Sequence, residues 1–154
     1  MKKPACRYVL NAAKIVFLAL LLSRCTPSVP VSPHPVSFGA GIYLDRTLFD
    51  SERRTIILDS ASEAGVQWSR EEFHWDQIEP ERGLQNEEML ARYDAGVDGL
   101  LARNIHILGL LAYRAPWSSG ETAPDNDAER QDYAAFAASM ATRYRGRVDH
   151  WEIW

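Results

Sequence analysis

The sequence has little cysteine, no excess of basic charge and no long apolar run. Its two cysteines, Cys6 and Cys25, both lie near the N-terminus, so the rest of the chain has no disulfide of its own. The net charge of -4 provides no basic surface for nucleic acid. The clean apolar run at residues 15–22 is too short for a membrane span, which needs about 20 residues. We therefore expect the partner to be a neutral or small ligand.

Several common catalytic patterns are also missing. The sequence contains neither a glycine-rich loop for a nucleotide phosphate nor the Gly-x-Ser-x-Gly elbow of serine hydrolases, so we expect no cofactor. We also expect no metal, because metal-ligand spacing is not found among the histidines, which are His34, His74, His106 and His150.

The first 25 residues are typical of an export signal. A secretory leader has basic residues before its apolar run, here Lys2, Lys3 and Arg7. The stretch Leu22-Ser23-Arg24-Cys25 resembles the lipobox of bacterial lipoproteins, although Arg24 stands where that motif takes a small residue. Cys25 is therefore a candidate lipidation site, and the alternative is a cleaved signal with an incidental cysteine. In either case we expect an exported protein that is periplasmic, secreted or attached to the cell surface.

Residues 26–36 are rich in serine, valine and proline. The composition favours an extended polyproline-type spacer over a packed element. We expect a tether that holds a domain at residues 37–154 away from a membrane if Cys25 carries a lipid, and an unstructured N-terminus if it does not.

From residue 37 onward, short apolar runs alternate with longer helical patterns, as in βα units built on a parallel sheet. Three helices are expected: one between Asp50 and Gly65, one over residues 87–103, and one with an apolar stripe from Tyr133 to Tyr144. The apolar runs predict four strands, at residues 38–44, 66–70, 105–111 and 148–154.

The most distinctive stretch is residues 65–83. A short apolar run ends in Arg70, an aromatic cluster follows, and the stretch closes on Ile78-Glu79-Pro80-x-x-Gly83. It resembles the end of the second strand, and the loop after it, in the (β/α)8 glycoside hydrolases of clan A, with family 39 nearest and families 5 and 42 as competitors. The last four residues, Trp151-Glu152-Ile153-Trp154, resemble the fourth barrel strand just before the Asn-Glu pair that supplies the catalytic acid/base.

This resemblance implies that the chain is the N-terminal half of a (β/α)8 barrel of the α/β class, because its 154 residues fall well short of the roughly 250 that a complete barrel needs. It also implies a retaining O-glycosyl hydrolase that acts on a poly- or oligosaccharide with two glutamates. Both glutamates are expected beyond Trp154. We therefore expect the chain alone to be inactive, and to aggregate or remain molten without the C-terminal half of the barrel.

The resemblance also points to individual site residues. Arg70 matches an arginine that hydrogen-bonds the nucleophilic glutamate in the clan, and the alternative is a surface arginine paired with Glu71 or Glu72. Flat aromatic rings in the loops after the second and third strands are expected either to stack on sugar rings or to belong to the core, and these are Phe73, Trp75, Tyr113 and Trp117.

Two other acidic residues, Glu79 and Glu152, are expected to have structural rather than catalytic roles. Glu79 is expected to brace its loop, because Pro80 restricts the backbone there to an extended or turn conformation. Glu152 lies within the fourth strand rather than at its end, so we expect it to pair with a polar group inside the barrel, with Arg70 as a candidate partner.

Two further functions remain open. A non-catalytic sugar-binding surface lipoprotein could keep the barrel framework, the tether and the aromatic loops. A different (β/α)8 enzyme could share only the architecture, since this fold hosts many chemistries. The residues encoded after Trp154 distinguish these alternatives from the hydrolase.

Overall fold

The structure, a computed structural model, describes residues 37–118, 124–148 and 150–153. The expected signal peptide, Cys25, the proline-rich linker and Trp154 lie outside these residues. One parallel sheet has its strands in chain order, each paired with the next. This order is that of the first half of a (β/α)8 barrel, as the sequence predicted. The strands are β1 (Gly39–Ala40), β2 (Trp68–His74), β3 (His106–Ala112) and β4 (His150–Ile153).

The three predicted helices are present, and a fourth, shorter one follows β2 directly. Each long helix starts at a polar residue whose side chain accepts a backbone N–H of the first turn, and these caps are Asp50, Asn86 and Asn126. None of the helices in the described ranges is long and apolar enough to cross a membrane. The helices are α1 (Ser51–Glu63), α2 (Trp75–Ile78), α3 (Glu87–Leu101) and α4 (Asp127–Arg143), and a 3-10 helix, Leu44–Thr47, precedes α1.

Side chains alternate along β2 between two environments. Ser69, Glu71 and Phe73 are buried, whereas the residues between them are half-buried. The Phe73 ring stacks on Tyr93 of α3 and packs edge-on against Tyr144 at the end of α4. The buried face is therefore the one that the helices cover, and the half-buried face is the one that lines the interior of a barrel.

Strand β1 pairs over two residues rather than over the predicted run to Leu44. Beyond that pairing, two side chains of β2 bind the backbone of the first chain segment. The Ser69 Oγ accepts the Ile42 N–H at 3.3 Å, and the Glu71 Oε2 accepts the Leu44 N–H at 2.7 Å. Tyr43, at φ 58°, has the left-handed conformation and turns the chain into the 3-10 helix.

Strand β2 extends four residues beyond the predicted end at Arg70. The prediction stopped there because the short apolar run ends at Arg70 and the stretch resembles the end of the second strand in clan A. In the structure the strand continues because Glu71 faces the helix layer, with hydrogen bonds, and Glu72 faces the barrel interior. The expectation that Arg70 closes the strand is therefore wrong, since Arg70 lies in its middle.

Gly109 of β3 makes room for a large side chain of β4. A Cβ atom at this position would lie 2.6 Å from the Cζ3 of Trp151 and 3.2 Å from the Cε2 of Phe73. The Trp151 and Phe73 rings pack with their centroids 5.3 Å apart. The missing side chain thus creates the slot that Trp151 fills in the layer between sheet and helices.

Candidate active site

The register of the sheet places charged residues from two strands on the barrel-facing surface. Arg70 pairs with Leu108, Glu72 pairs with Leu110, and Leu110 pairs with Glu152. Because paired residues of parallel strands point to the same face, the charged side chains of β2 and β4 lie on either side of apolar residues of β3.

Arg70 and Glu152 form a two-point ion pair on this surface. The Arg70 Nε–H donates to Glu152 Oε2 at 2.7 Å, and the Nη2–H donates to Oε1 at 3.1 Å. The hydrogen bond from Arg70 holds the pKa of the Glu152 carboxyl below its ordinary value. Glu72 is farther away, with its Oε1 3.9 Å from Arg70 Nη1. The expectation that Glu152 pairs with Arg70 is confirmed.

A second polar group, formed by Asp45, Glu72 and His74, lies at the C-terminal end of β2. The His74 Nε2 is 3.5 Å from Glu72 Oε2 and 3.8 Å from Asp45 Oδ2. One ligand-type atom from each residue lies within 4.8 Å of the others, so the three residues are close enough to hold a cation. The position of the proton on the His74 imidazole ring decides whether the three residues favour a cation or hydrogen bonds to a ligand.

The amide nitrogen of Gln77 lies 3.1 Å from His74 Nδ1. With this amide nitrogen as the donor, Nδ1 accepts, and the proton of a neutral ring is then assigned to Nε2, which lies 3.5 Å from Glu72 Oε2 and 3.8 Å from Asp45 Oδ2. In this tautomer the imidazole offers a hydrogen-bond donor rather than a lone pair. The three residues therefore form a hydrogen-bonding group whose carboxylate oxygens suit hydroxyl donors of a ligand better than a metal ion.

Sequence reasoning missed this group. Glu72 and His74 are two residues apart on one strand, so strand alternation alone places them on one face once β2 is known to reach His74. Asp45 comes from the segment after β1, 27 residues before Glu72 and 29 before His74, and only the folded chain brings it close. The signal was lost because the predicted strand ended too early.

Tyr113 follows β3 at the same end of the barrel. Its ring centroid lies 4.3 Å from that of His74, and its hydroxyl donates to Glu72 Oε2 at 3.3 Å. The charge of Glu72 raises the pKa of the Tyr113 hydroxyl above its ordinary value, so the group remains a neutral donor. With 43% of its surface exposed, Tyr113 is placed where a sugar ring could reach it. Its contact with substrate stays a prediction.

Trp75 does not have the position that a substrate contact needs. It is 1% exposed, because α2 turns it into the helix layer. Its ring stacks on Phe136 and packs edge-on against Trp117 and Tyr133, and its Nε1–H donates to Glu79 Oε2 at 2.9 Å. The prediction of a sugar contact at Trp75 is therefore wrong. Sequence reasoning placed this ring in a loop because α2 has only one turn and leaves no periodic pattern.

Phe73 is a core residue as well. It is buried within β2 on the helix-facing side, so of the two expectations for this ring, a sugar contact or a place in the core, the structure supports the core.

Glu79 connects the loop after β2 to the loop after β3. Its Oε1 accepts the Gly83 N–H at 2.6 Å, and its backbone oxygen accepts the Trp117 Nε1–H at 2.8 Å. The Arg82 guanidinium lies over the Trp117 ring, 4.8 Å from the centroid. The expectation that Glu79 braces its loop is confirmed. Trp117 is half-buried, and its proposed sugar contact stays a prediction.

The two ends of the barrel-facing surface differ in chemistry. At the N-terminal end, Trp68 packs against His106 and His150. An open cavity of about 400 Å³ lies beside β1 and is bordered by Gly41, Trp68 and Arg70, among others. The carboxylates and the tyrosine described above lie toward the C-terminal end, so that end carries hydrogen-bonding groups.

Comparisons with known proteins agree with this geometry. No family model matches the sequence, and no curated protein matches it. Solved structures do match. A family 39 glycoside hydrolase from Bacteroides cellulosilyticus WH2 is 18% identical with a TM-score of 0.59, over 77% of this chain and 24% of the other. An exo-β-1,4-mannosidase from Opitutaceae bacterium strain TAV5 is 17% identical with a TM-score of 0.68, over the same shares of 77% and 24%. The fold is that of the (β/α)8 glycoside hydrolases.

A third match is the virulence factor SghA from Agrobacterium tumefaciens, 28% identical with a TM-score of 0.59 over 66% of this chain and 23% of the other. The chain thus spans about a quarter of the length of the solved structures it matches. The resemblance to clan A that the sequence indicated is confirmed at the level of the fold. In (β/α)8 enzymes the active site lies at the C-terminal ends of the strands, which is the end that holds Glu72, His74 and Tyr113.

Proposed function

We propose that the chain is the N-terminal part of an exported, retaining O-glycoside hydrolase. The observation that carries the proposal is the pair Arg70–Glu152. It joins β4 to β2 across β3, just before the place where the family resemblance puts the Asn-Glu pair with the acid/base. The short share of each matched hydrolase that the chain covers also supports a longer parent protein.

The proposed reaction uses two glutamates outside this chain. One protonates the oxygen of the leaving group while the other attacks the anomeric carbon, with the two carboxyl groups about 5 Å apart. Water then hydrolyses the glycosyl-enzyme intermediate with the first glutamate acting as base. The residues of this chain provide binding and orientation.

Two groups of this chain have proposed roles in that site. Glu72 and His74, with Tyr113, present hydrogen-bonding atoms to sugar hydroxyls at the barrel mouth. Arg70 directs its Nε and Nη2 groups to Glu152, which leaves Nη1 as the group that can approach a second carboxylate, in the manner of the clan arginine.

The gene sequence after Trp154 is the first test. We expect Asn-Glu directly after Trp154 and a second glutamate at a later strand end. The natural gene product should then release sugar from a panel of aryl glycosides. The panel starts with β-mannosides, after the matched exo-β-1,4-mannosidase, and β-glucosides, after a further matched structure, a β-glucosidase from Exiguobacterium marinum. Replacing the glutamate of the Asn-Glu pair by glutamine should abolish that release.

Other outcomes would support other functions. A different pair after Trp154, combined with retained binding of oligosaccharides, would support the sugar-binding surface lipoprotein. A gene that truly ends at Trp154 and yields a compact, well-ordered monomer would overturn the proposal.

Membrane attachment through Cys25 is a separate part of the proposal. A lipid on Cys25 would place the enzyme at the cell surface on a proline-rich tether. In cells fed a labelled fatty acid, the wild-type protein should carry the label and sediment with membranes, and C25S should do neither. An exported but unlabelled wild-type protein would indicate a simple cleaved signal instead.

A further inference from the structure

The segment between β1 and α1 carries Asp45 to the candidate active site with little backbone support. Pairing with β2 ends at Ala40, and beyond it the side chains of Ser69 and Glu71 accept the N–H groups of Ile42 and Leu44. The Leu44 N–H that Glu71 Oε2 accepts belongs to the residue just before Asp45. Asp45 in turn faces the imidazole of His74. The buried carboxyl of Glu71 therefore holds the residue next to Asp45, which contributes a carboxylate to the candidate site.

The contacts around the Ser69 hydroxyl bear on whether the neighbouring Glu71 carboxyl carries a proton. Its oxygen accepts the Ile42 N–H at 3.3 Å, lies 3.2 Å from the Ala40 carbonyl oxygen, and is in short contact with Glu71 Oε1. A hydroxyl has a single proton to donate. If that proton goes to Ala40, the contact with Glu71 is a hydrogen bond only when Glu71 Oε1 itself carries a proton. A neutral Glu71 satisfies all of these contacts at once.

We propose that Glu71 is a positioning residue of the candidate site, which holds the segment between β1 and α1, and with it Asp45, as a neutral carboxylic acid. When Glu71 ionises, the Ser69 hydroxyl turns from Ala40 to Glu71, and the hydrogen bonds that join the segment to β2 rearrange. Only the consequence for activity rests on the proposed hydrolase function. The positioning itself is a property of the fold.

The surroundings of Glu71 favour the neutral form. The residue is buried between the sheet and the 3-10 helix, and this burial raises the pKa of Glu71 to about 7, against the hydrogen bonds from Ser69 and Leu44. The Asp45 carboxylate acts in the same direction. On β3, the residue paired with Glu71 is the uncharged Gly109. The rearrangement should therefore occur near neutral pH.

Hydrogen exchange of the natural gene product tests this proposal. Exchange is followed by mass spectrometry on peptides that cover residues 41–47, from pH 5 to pH 9, after correction for the intrinsic effect of pH. We expect protection to fall about tenfold as the pH passes through neutrality, which is the loss of roughly one hydrogen bond. Peptides from α1 should show no such change and serve as the internal reference.

Two variants identify Glu71 as the group responsible. In E71Q the amide keeps an acceptor for Leu44 and a donor for Ser69, so protection of residues 41–47 should be high and independent of pH. In E71L both contacts are lost, so protection should be low at every pH. The surface variant E63Q should behave as the wild type. If glutamine but not leucine at position 71 keeps the protection of residues 41–47, the hydrogen bonds of the side chain, and not its volume alone, hold this segment.

Three results would overturn the proposal. Protection that is independent of pH in the wild type is the first, and a pH dependence that persists in E71Q is the second, since Glu71 would then not be the group responsible. Protection in E71L equal to that of the wild type is the third. If a variant does not fold, the wild-type profile alone still decides. None of these readouts depends on sugar hydrolysis, so failure of the proposed function would be seen separately in the glycosidase assay.

Discussion

Arg70 on β2 and Glu152 on β4 are joined by two hydrogen bonds that pass over the strand between them. Both side chains are 41% exposed, so solvent screens the pair and its contribution to stability is small. Its two-point geometry, however, fixes the direction in which the guanidinium points. The pair therefore matters for orientation of the guanidinium inside the barrel more than for folding.

We predict that R70K, made in the natural gene product, lowers kcat/KM at least tenfold and the free energy of unfolding by less than about 1 kcal/mol. A lysine makes a single contact and cannot align the carboxylate. R130K is the control, because Arg130 forms an exposed pair with Asp127 within the first turn of α4. Steady-state kinetics and thermal unfolding check both effects. A large loss of stability with normal kinetics would contradict the assigned role.

Asp94 of α3 ties that helix to α4 and the turn after it. It accepts hydrogen bonds from Arg143 at 2.7 Å and from Arg147 at 3.1 Å. Burial acts to raise the pKa of Asp94, but the two guanidinium groups outweigh it and the net pKa lies below its ordinary value. This contribution to stability is therefore present at neutral pH and is lost as the pH falls through the lowered pKa.

We predict that D94N lowers the free energy of unfolding by on the order of 1 kcal/mol at pH 7, and by less at pH 3. D98N is the matched control, because the Asp98 side chain is 64% exposed and pairs with Arg147 alone. Chemical unfolding at the two pH values measures the difference. An effect of D98N as large as that of D94N would show that the half-buried position of Asp94 between two arginines does not matter more than an exposed pair.

Glu79 satisfies two donors, the indole N–H of the buried Trp75 and the backbone N–H of the exposed Gly83. Its carboxylate accepts the Trp75 Nε1–H and the Gly83 N–H. In E79A both donors lose their partner, and we predict a loss of about 2 to 4 kcal/mol in the free energy of unfolding. E81A, at an exposed neighbouring glutamate, should change it by less than about 0.5 kcal/mol. If the two variants unfold alike, Glu79 is not the brace described above.

Tyr113 and Trp75 should respond to substitution in opposite ways. Y113A removes an exposed ring at the barrel mouth, so we expect KM to rise several-fold with little change in thermal stability. W75F removes the indole N–H bonded to Glu79, so we expect a loss of about 1 to 3 kcal/mol in the free energy of unfolding with KM unchanged. Kinetics and unfolding measured on the same preparations decide. A raised KM in W75F alone would restore Trp75 as a substrate contact.

The 154-residue chain by itself should not unfold cooperatively. Phe38 beside β1 and Ile153 on β4 are 54% and 61% exposed, and both outer strands lack a neighbour on one side among the described residues. We expect the isolated chain to bind a hydrophobic dye and to show a broad thermal transition. A sharp, reversible transition in calorimetry would contradict this expectation.

The sequence predicted the order and direction of the strands well, because apolar runs and helical stripes alternate clearly from β1 to β4. The sequence-based prediction was wrong where polar side chains are part of the folded framework. Glu71 reads as a loop residue, yet it is buried and continues the hydrogen bonding of β2 toward Leu44. That single misreading ended β2 too early and hid the position of His74 at the barrel mouth.

The candidate site was predicted in part. Arg70 with Glu152, and Tyr113 near the barrel mouth, follow from the strand pattern and the family resemblance. Asp45 could not be found, because no local pattern relates the segment after β1 to the end of β2. Trp75 was misplaced because an aromatic residue after a strand is equally compatible with a ligand contact and with a short helix that turns inward.

The slot at Gly109 has an implication for variation among relatives of this chain. A hydrogen atom is all that position 109 can carry while a tryptophan occupies position 151. A relative with alanine or serine at 109 would need a narrower residue at 151, and the two positions should change together. The proposed acid/base follows β4 within a few residues. The absence of a side chain at Gly109 of β3, which sets the position of Trp151 on β4, therefore helps to determine the position of the proton donor of the reaction.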